Sequence, residues 1–233
     1  MIITPPIHKP FVKWQGGKRR ELEHIGPYIP AGVSAIAEPF AGGAAVSFAS
    51  GLPAYLNDLN SNLINLYTVL QDVGAYKRMI IDLAELKANP EVLEQQFYHS
   101  RSVINNPTGK DPYNLALAFL IVRQQCFSGM ERYNKDGGFN VPWGRYKTFT
   151  CCLDQGHQHF LKKAKLYNID GIEFIDLVPK DAFIFLDPPY LDRLGYEKGD
   201  GGNDLHTRLA TKLAQVKQPW LLIHTDHPFY RKA

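Results

Sequence analysis

The sequence has few cysteines, which argues against a disulfide-stapled extracellular domain. Only three occur in 233 residues, and Cys151 and Cys152 are adjacent, so they are poorly placed to pair with each other. His157 and His159 lie close to this pair, yet no further ligands follow at the spacing of a metal site. We therefore expect reduced thiols and no bound metal.

Long apolar runs and a strong charge imbalance are also lacking. The first ten residues lack the apolar core of a signal peptide, and the most apolar run, 115–122, is too short to cross a bilayer. These features predict a cytoplasmic protein with no membrane partner. The net charge of +3 excludes a polycation, so any nucleic-acid contact requires basic residues concentrated on one face.

Short apolar runs that end in small or polar residues are typical of a parallel α/β sheet. The run 33–37 leads into Glu38-Pro39-Phe40-Ala41-Gly42-Gly43, and 53–56 leads into Asn57-Asp58 before a helix that Asn60 or Ser61 caps. Further strands are expected over 164–169, 182–186 and 220–224. Since helices separate these strands, we predict a doubly wound, mostly parallel sheet with ligands at its carboxyl edge.

The middle of the chain predicts an insertion in that sheet. Residues 72–125 are mainly helical in pattern, and 132–141 surround an Asp-Gly turn, which indicates a β-hairpin. From 123 to 147, basic residues outnumber acidic ones and alternate with aromatic ones. This pattern suits phosphate contacts together with stacking or wedging between bases. A solvated hairpin without a ligand is the alternative.

The glycine turn and the acid after the second strand indicate a nucleoside ligand. Gly42 and Gly43 allow a ligand to approach the backbone N–H groups at a helix start. The turn matches neither G-x-G-x-x-G nor a Walker motif, so phosphate binding is unsupported. Asp58 is placed to hold ribose hydroxyls. A tight turn beside a surface acid is the alternative.

Asp187-Pro188-Pro189-Tyr190 is the most specific motif and follows the apolar run 183–186. Two successive prolines remove two N–H donors, which leaves the carboxylate and nearby carbonyls as acceptors. An acceptor-rich site suits an NH₂ group, and Tyr190 offers a flat face for stacking a base. A proline-rich turn without a ligand is the alternative.

Four motifs in this order resemble those of the Dam-type DNA adenine-N6 methyltransferases over nearly the whole chain. They are Lys13-Trp14-Gln15-Gly16-Gly17-Lys18, Glu38-Pro39-Phe40-Ala41-Gly42-Gly43, Asn57-Asp58-Leu59-Asn60 and Asp187-Pro188-Pro189-Tyr190. The resemblance implies a Rossmann-like S-adenosylmethionine methyltransferase fold. Its parts would be a cofactor-binding part (1–71), an inserted DNA-recognition subdomain with helices and a hairpin (72–160) and a catalytic part (161–233).

The resemblance also implies roles for individual residues. Asp187, Pro188 and Tyr190 would be catalytic. The expected S-adenosylmethionine contacts are Trp14, Lys18, Glu38, Phe40, Gly42, Asp58, Phe174 and Asp187, where Phe174 would pack the adenine ring or serve as a core aromatic. The expected contacts to double-stranded DNA are Lys13, Arg123, Phe127, Arg132, Lys135, Arg145 and Lys147. Arg132 resembles a guanine-reading arginine, which makes GATC the expected site.

The expected reaction is methyl transfer to N6 of an adenine flipped out of the duplex. No obligate protein partner is implied, and a restriction-linked, solitary or phage-borne role stays open. Transfer to another sp² amine, such as cytosine N4 or a protein glutamine, and DNA binding through a vestigial site are the alternatives. Two features depart from the family. Ser128 stands where an asparagine is frequent, and the chain ends soon after 220–224, so we expect either a truncated chain or a five-stranded sheet.

Overall fold

The structure, a computed structural model, describes residues 7–190 and 201–232. Within these ranges, five parallel strands form one sheet in the order β3-β2-β1-β4-β5. Their bounds are β1 Ile36–Glu38, β2 Ala54–Asn57, β3 Lys165–Tyr167, β4 Phe183–Leu186 and β5 Trp220–Leu222. The predicted doubly wound, Rossmann-like sheet is confirmed.

Ten α-helices accompany the sheet in the described chain. They are α1 Leu22–Ile25, α2 Ala45–Ser50, α3 Ser61–Val69, α4 Val73–Ala88, α5 Leu93–Asn105, α6 Pro112–Gln125, α7 Gln155–Lys163, α8 Gly171–Phe174, α9 Gly201–Leu213 and α10 Pro228–Lys232. Side chains at the N-termini satisfy backbone N–H groups that would otherwise lack partners. Asn60 accepts from the N–H of Leu63, Asp72 from Ala75, and Asp111 from Asn114.

Both faces of the sheet are buried along β4, which explains why this strand is apolar throughout. Along β4, Phe183 and Phe185 pack with α1 and α2, whereas Ile184 and Leu186 pack on the other face with α8 and α9. A larger apolar cluster joins α3, α5 and α6 to the sheet through residues such as Leu56. Strand β4, which leads into the Asp-Pro-Pro-Tyr motif, is therefore packed on both of its faces.

The segment between β2 and β3 contains α3 to α7 and the basic stretch that follows α6. The hairpin predicted over 132–141 is tight and pairs its arms at one antiparallel bridge, Tyr133 with Phe139. The side chain of Asn134 accepts from the N–H groups of Asp136 and Gly138. These local bonds close the turn, so extended strands do not develop.

Candidate active site

Acidic residues gather at the carboxyl edge of the sheet. Glu38 is the last residue of β1, Asp58 follows β2, and Asp187 follows β4. Because the strands are parallel, all three carboxyl groups come to the same edge. Such an edge attracts a ligand that carries positive charge or hydroxyl donors.

Glu38 is an almost fully buried acid at this edge. Its side chain is 2% exposed, and its Oε1 accepts from the N–H of Ser47, 2.8 Å away, in the first turn of α2. Burial, aided by the charge of Asp187, raises the pKa of the Glu38 carboxyl to about 7, although the hydrogen bond from Ser47 opposes the shift. The group therefore changes charge near neutral pH.

Asp58 braces the glycine turn. Its Oδ2 accepts from the N–H of Gly42 at 2.9 Å, and its Oδ1 accepts from the N–H of Asn60 at 2.9 Å. Burial raises the pKa of Asp58, and the two backbone hydrogen bonds oppose this effect. Tyr67 holds the same turn by donating to the carbonyl of Gly42 at 2.8 Å. Asp58 thus stabilises the turn, whether or not it also binds a ligand.

The indole of Trp14 lies against Gly42. A Cβ atom on Gly42 would lie 2.5 Å from Trp14 Nε1, and the φ angle of this glycine is +47°. Both facts require glycine here. The ring, half-buried, forms one wall beside the turn. Trp14 and Gly42 are therefore in contact, although they come from different motifs.

Lys18 and Asp187 form a largely buried ion pair. The Lys18 Nζ lies 2.5 Å from Asp187 Oδ2, and the two side chains are 8% and 19% exposed. The ammonium also donates to the carbonyl of Gly16 at 2.8 Å and lies 5.3 Å from the ring centre of Tyr190. The lysine expected to contact the cofactor thus holds the carboxylate of the Asp-Pro-Pro-Tyr motif.

Two aromatic residues expected near the cofactor lie in different environments. Phe40 is partly buried beside the N-terminus of α8, where a Cβ on Gly171 would lie 2.8 Å from its ring. Phe174 is 0% exposed and packs edge-on against Tyr167, with ring centres 5.2 Å apart. Phe174 therefore has the surroundings of a core residue, and we leave it out of the proposed cofactor site.

Arg123 is a buried residue and lies off the basic surface on which the charge pattern placed it. Its side chain is 1% exposed, and its guanidinium donates to the carbonyls of Lys13, Gly129 and Met130 at 3.0–3.1 Å. The guanidinium carbon also lies 4.8 Å from the ring centre of Trp14. In this structure the guanidinium of Arg123 is thus bound to protein carbonyls, and its expected contact with DNA stays a prediction.

The other expected DNA contacts divide into exposed and half-buried residues. Lys13 donates to the carbonyl of Gln124 at 2.8 Å and lies 4.1 Å from the ring centre of Tyr146, and burial lowers its pKa. The ring of Phe127 is 53% exposed. The remaining residues are all exposed, namely Arg132, Lys135, Arg145 and Lys147. Exposed basic side chains and an exposed aromatic ring therefore lie in the same segment, 127–147.

The guanidinium of Arg132 is oriented by the opposite arm of its hairpin. Its Nε donates to Asn140 Oδ1 at 2.7 Å, and its Nη2 donates to the Asn140 carbonyl at 3.1 Å. Each Nη atom carries two hydrogens, so the outer edge formed by Nη1 and Nη2 keeps donors for a planar acceptor pair. The residue suits a bidentate contact to a base edge.

The segment that follows α6 is hydrogen-bonded to residues of two of the four motifs. Gln15 accepts from the N–H of Glu131 at 2.8 Å, and Asn60 donates to both Glu131 and Tyr133 at 3.3 Å. Tyr133 itself donates to Glu131 at 2.9 Å. The segment expected to read DNA is thus joined directly to two motifs that are expected to hold the cofactor.

One group in the described part of the chain has metal-ligand side chains, and it consists of His8, Asp154 and His157. His157 Nδ1 lies 2.7 Å from Asp154 Oδ1, and its Nε2 lies 2.7 Å from the carbonyl of Lys9. These are hydrogen-bond distances, and they tie the N-terminal segment to the start of α7. These hydrogen bonds explain why His157 and Asp154 lie together.

A family model describing the D12 class of N6 adenine-specific DNA methyltransferases matches residues 14–233. The chain belongs to this family. The D12 enzymes act on DNA and require a methyl donor, so the expected adenine-specific DNA methyltransferase activity is confirmed. The protein is thus an enzyme that methylates adenine in DNA.

Three curated relatives are similar in sequence to this D12 protein. The type II methyltransferase M.CviBI of Paramecium bursaria Chlorella virus NC1A is 35% identical over 233 positions, covering 96% of this chain and 85% of the relative. The DNA adenine methylase of Serratia marcescens is 34% identical, covering 78% and 67%. The DNA adenine methylase of Haemophilus influenzae is 32% identical, covering 78% and 64%.

Two residues that shape the site of this D12 enzyme make contacts that the sequence does not reveal. Asn57 donates to the carbonyls of Pro39 and Ile169 at 2.9 and 3.0 Å, which joins the glycine turn to the end of β3. His206, on α9, reaches the Asp-Pro-Pro-Tyr motif. The burial of His206 on α9 is what marks it as part of the site, and the sequence alone does not reveal this burial. Among the described residues, no helix combines the length and apolar composition that crossing a membrane would demand.

Proposed function

We propose that this enzyme transfers a methyl group from S-adenosylmethionine to N6 of an adenine flipped out of double-stranded GATC. The observation that carries the proposal is the Lys18–Asp187 ion pair, which holds an acceptor at the sheet edge beside the turn of Gly42. An NH₂ group needs such acceptors, and a cofactor needs such a turn. Both lie at one edge of the sheet.

The edge suits S-adenosylmethionine in shape and charge. The cofactor carries a sulfonium and an ammonium, and the carboxyl groups of Glu38, Asp58 and Asp187 come to this edge. The indole of Trp14 lies directly against Gly42 and provides a flat wall beside the turn. The proposed cofactor contacts are Trp14, Lys18, Glu38, Phe40, Gly42, Asp58 and Asp187.

Lys18 acts in this proposal mainly through Asp187. Its ammonium fixes one carboxylate oxygen, so the rotation of the carboxyl group is restricted before substrate binds. Positioning of this kind lowers the barrier because the acceptor needs no reorganisation during the reaction. We therefore assign Lys18 to the positioning of Asp187, and a direct cofactor contact is secondary.

The Asp-Pro-Pro-Tyr motif then receives the adenine. Asp187 and the carbonyl of Pro188 accept hydrogen bonds from the N6 amine, and Tyr190 stacks on the base. These contacts direct the nitrogen lone pair away from the ring and toward the reactive methyl group. When bound, the cofactor supplies an electrophilic methyl group on sulfur. In the transfer, the carbon–sulfur bond would break as the nitrogen–carbon bond forms, the thioether would leave as product, and one amine proton would pass to water.

The exposed residues of 127–147 form the proposed DNA surface, within a recognition subdomain that we assign to 72–160. Arg132 would read a guanine, Phe127 would wedge between bases, and the cations Lys135, Arg145 and Lys147 would contact phosphates. Lys13 is half-buried and would contribute only near Tyr146. The likeness of Arg132 to a guanine-reading arginine is what supports GATC.

Tritiated methyl transfer to plasmid DNA, followed by mapping of the modified base, tests the proposal. We expect N6-methyladenine in GATC with the wild-type enzyme and no incorporation with Asp187→Ala, while calorimetry shows that the variant still binds the cofactor. Thr150→Ala, an exposed substitution outside the proposed site, serves as the matched control. Full turnover by Asp187→Ala would overturn the catalytic assignment, and methylation elsewhere would overturn GATC.

A further inference from the structure

A buried histidine reaches the Asp-Pro-Pro-Tyr motif from α9. His206 is 1% exposed, and its Nε2 lies 3.0 Å from the carbonyl oxygen of Pro189. Its other ring nitrogen, Nδ1, is hydrogen-bonded to the hydroxyl of Tyr230 on α10. Both ring nitrogens therefore have partners, and one partner is the backbone of the motif.

The two partners fix which nitrogen carries the proton. A carbonyl oxygen only accepts, so Nε2 must be the N–H that donates to Pro189. Nδ1 then accepts from the Tyr230 hydroxyl. Burial lowers the pKa of His206, and neighbouring His224 and His227 lower it further, whereas the hydrogen bond to Pro189 opposes them. The ring is thus neutral at neutral pH and has a single tautomer.

Aromatic contacts connect this histidine to Tyr190. The ring of His224, which follows β5, lies 5.1 Å from that of His206, 4.8 Å from Tyr230 and 4.9 Å from Tyr190. Residues from α9, α10 and the end of β5 therefore meet behind the motif. The motif is thus supported at its carbonyl by His206 and at its ring by His224.

The motif needs such support because its sequence removes its own donors. Pro188 and Pro189 have no N–H group, so neighbouring backbone cannot hold them as it holds β4. Lys18 fixes the carboxylate at the start of the motif. The Nε2–H of His206 supplies a donor near its end.

We propose that His206 is a positioning residue for methyl transfer, because its hydrogen bond to the Pro189 carbonyl fixes the backbone that carries Asp187 and Tyr190. This inference rests on the proposed function of that motif. It assigns His206 no contact with the substrate. A displacement of the reacting groups by about 1 Å lowers a rate by roughly a hundredfold, so loss of this bond should appear mainly in kcat.

Two substitutions separate the two hydrogen bonds of the ring. In His206→Gln, the amide nitrogen occupies about the place of Nε2 and can donate to Pro189. In His206→Asn, the shorter side chain places its polar atoms near Nδ1, so only the contact with Tyr230 is kept. We expect the single-turnover rate of His206→Asn to fall by roughly tenfold to a hundredfold, whereas His206→Gln stays within a few-fold of wild type.

Binding and stability measurements exclude a merely structural role. The dissociation constants for S-adenosylmethionine and for a GATC duplex should change little in either variant, and Tyr230→Phe should resemble His206→Gln. His99→Asn and His99→Gln, at an exposed position on α5, are the matched controls. Equal loss in His206→Asn and His206→Gln, or rates that follow the melting temperature, would overturn the proposal.

The proposal and the function on which it rests fail in different ways. If wild-type enzyme transfers no methyl group to adenine, the proposed function fails. If wild-type enzyme is active while His206→Asn and His206→Gln behave alike, only the role of His206 fails. Should His206→Asn not fold, ¹⁵N NMR of the wild-type histidine rings decides. A proton on Nε2 supports the proposal, and a proton on Nδ1 alone contradicts it.

Discussion

Replacing Glu38 by glutamine should remove a pH dependence from the stability of the fold. The carboxyl has a pKa of about 7 in the folded protein against an ordinary value of 4.5, so the folded state binds more protons than the unfolded chain between these values. The contribution of this group is fully present below pH 4.5 and is lost as the pH rises through 7. At about 1.4 kcal/mol for each pKa unit, the loss is about 3 kcal/mol.

Urea unfolding at pH 5.5 and 8.5 measures this effect. Part of the contribution is already lost at pH 5.5, so the free energy of unfolding of wild type should fall by about 2 kcal/mol more than that of Glu38→Gln. The glutamine keeps an oxygen for the N–H of Ser47 and has no titratable proton. Asp181→Asn, at an exposed acid, should behave as wild type. Equal pH dependence in wild type and Glu38→Gln would refute the reasoning.

The same carboxyl group should couple cofactor binding to proton release. A cationic ligand at the sheet edge favours the ionised form of Glu38, so S-adenosylmethionine binding at pH 6.5 should release a proton. Calorimetry in two buffers of different ionisation enthalpy detects that proton. S-adenosylhomocysteine, which lacks the sulfonium charge, should release less, and Glu38→Gln should release none from this position.

Three further predictions concern Gly42, Ser128 and Arg132. Gly42→Ala should destabilise the fold by about 1–3 kcal/mol and weaken cofactor affinity by displacing the indole beside it, as denaturation and calorimetry would show; unchanged affinity would contradict this. Ser128→Gly should stabilise the fold by up to about 1 kcal/mol, because φ is +54° at this serine. Ser102→Gly, within α5, should destabilise the fold. Arg132→Ala should lose about 1–3 kcal/mol of binding free energy on the cognate duplex and relax the preference at one base pair. Lys135→Ala should weaken binding to all DNA sequences alike and reduce the salt dependence of binding. If Arg132→Ala weakened binding to all sequences alike, Arg132 would be a contact to the DNA backbone.

Strand positions and motif order could be predicted from the sequence because each depends on local chemistry. Apolar runs, prolines and glycines report burial and backbone geometry within a few residues. The side chain of Asn60 caps α3, one of the two residues expected to do so. The acids after β2 and β4 reach one edge as a direct result of parallel pairing. These features follow from short stretches of chain and a common topology.

The partner of each charged side chain could not be predicted in the same way. Arg123 lies in a basic stretch, yet it turns inward to three carbonyls, and one of these belongs to Lys13. Lys18 lies in a cofactor-like motif, yet it pairs with Asp187. Composition gives the charge of a segment but not the direction of a side chain, which depends on contacts with distant residues.

The pairing of Lys18 with Asp187 also has a consequence for the order in which the enzyme matures during synthesis. The two residues are 169 positions apart, and the N-terminal segment further depends on Gln124, which donates to the carbonyl of Phe11 113 positions away. The glycine turn and Asp58, by contrast, are only 16 positions apart. A nascent chain can therefore form the glycine turn early, while Lys18 meets this partner only after Asp187 has followed it. Methyl transfer then requires that synthesis has passed the Asp-Pro-Pro-Tyr motif.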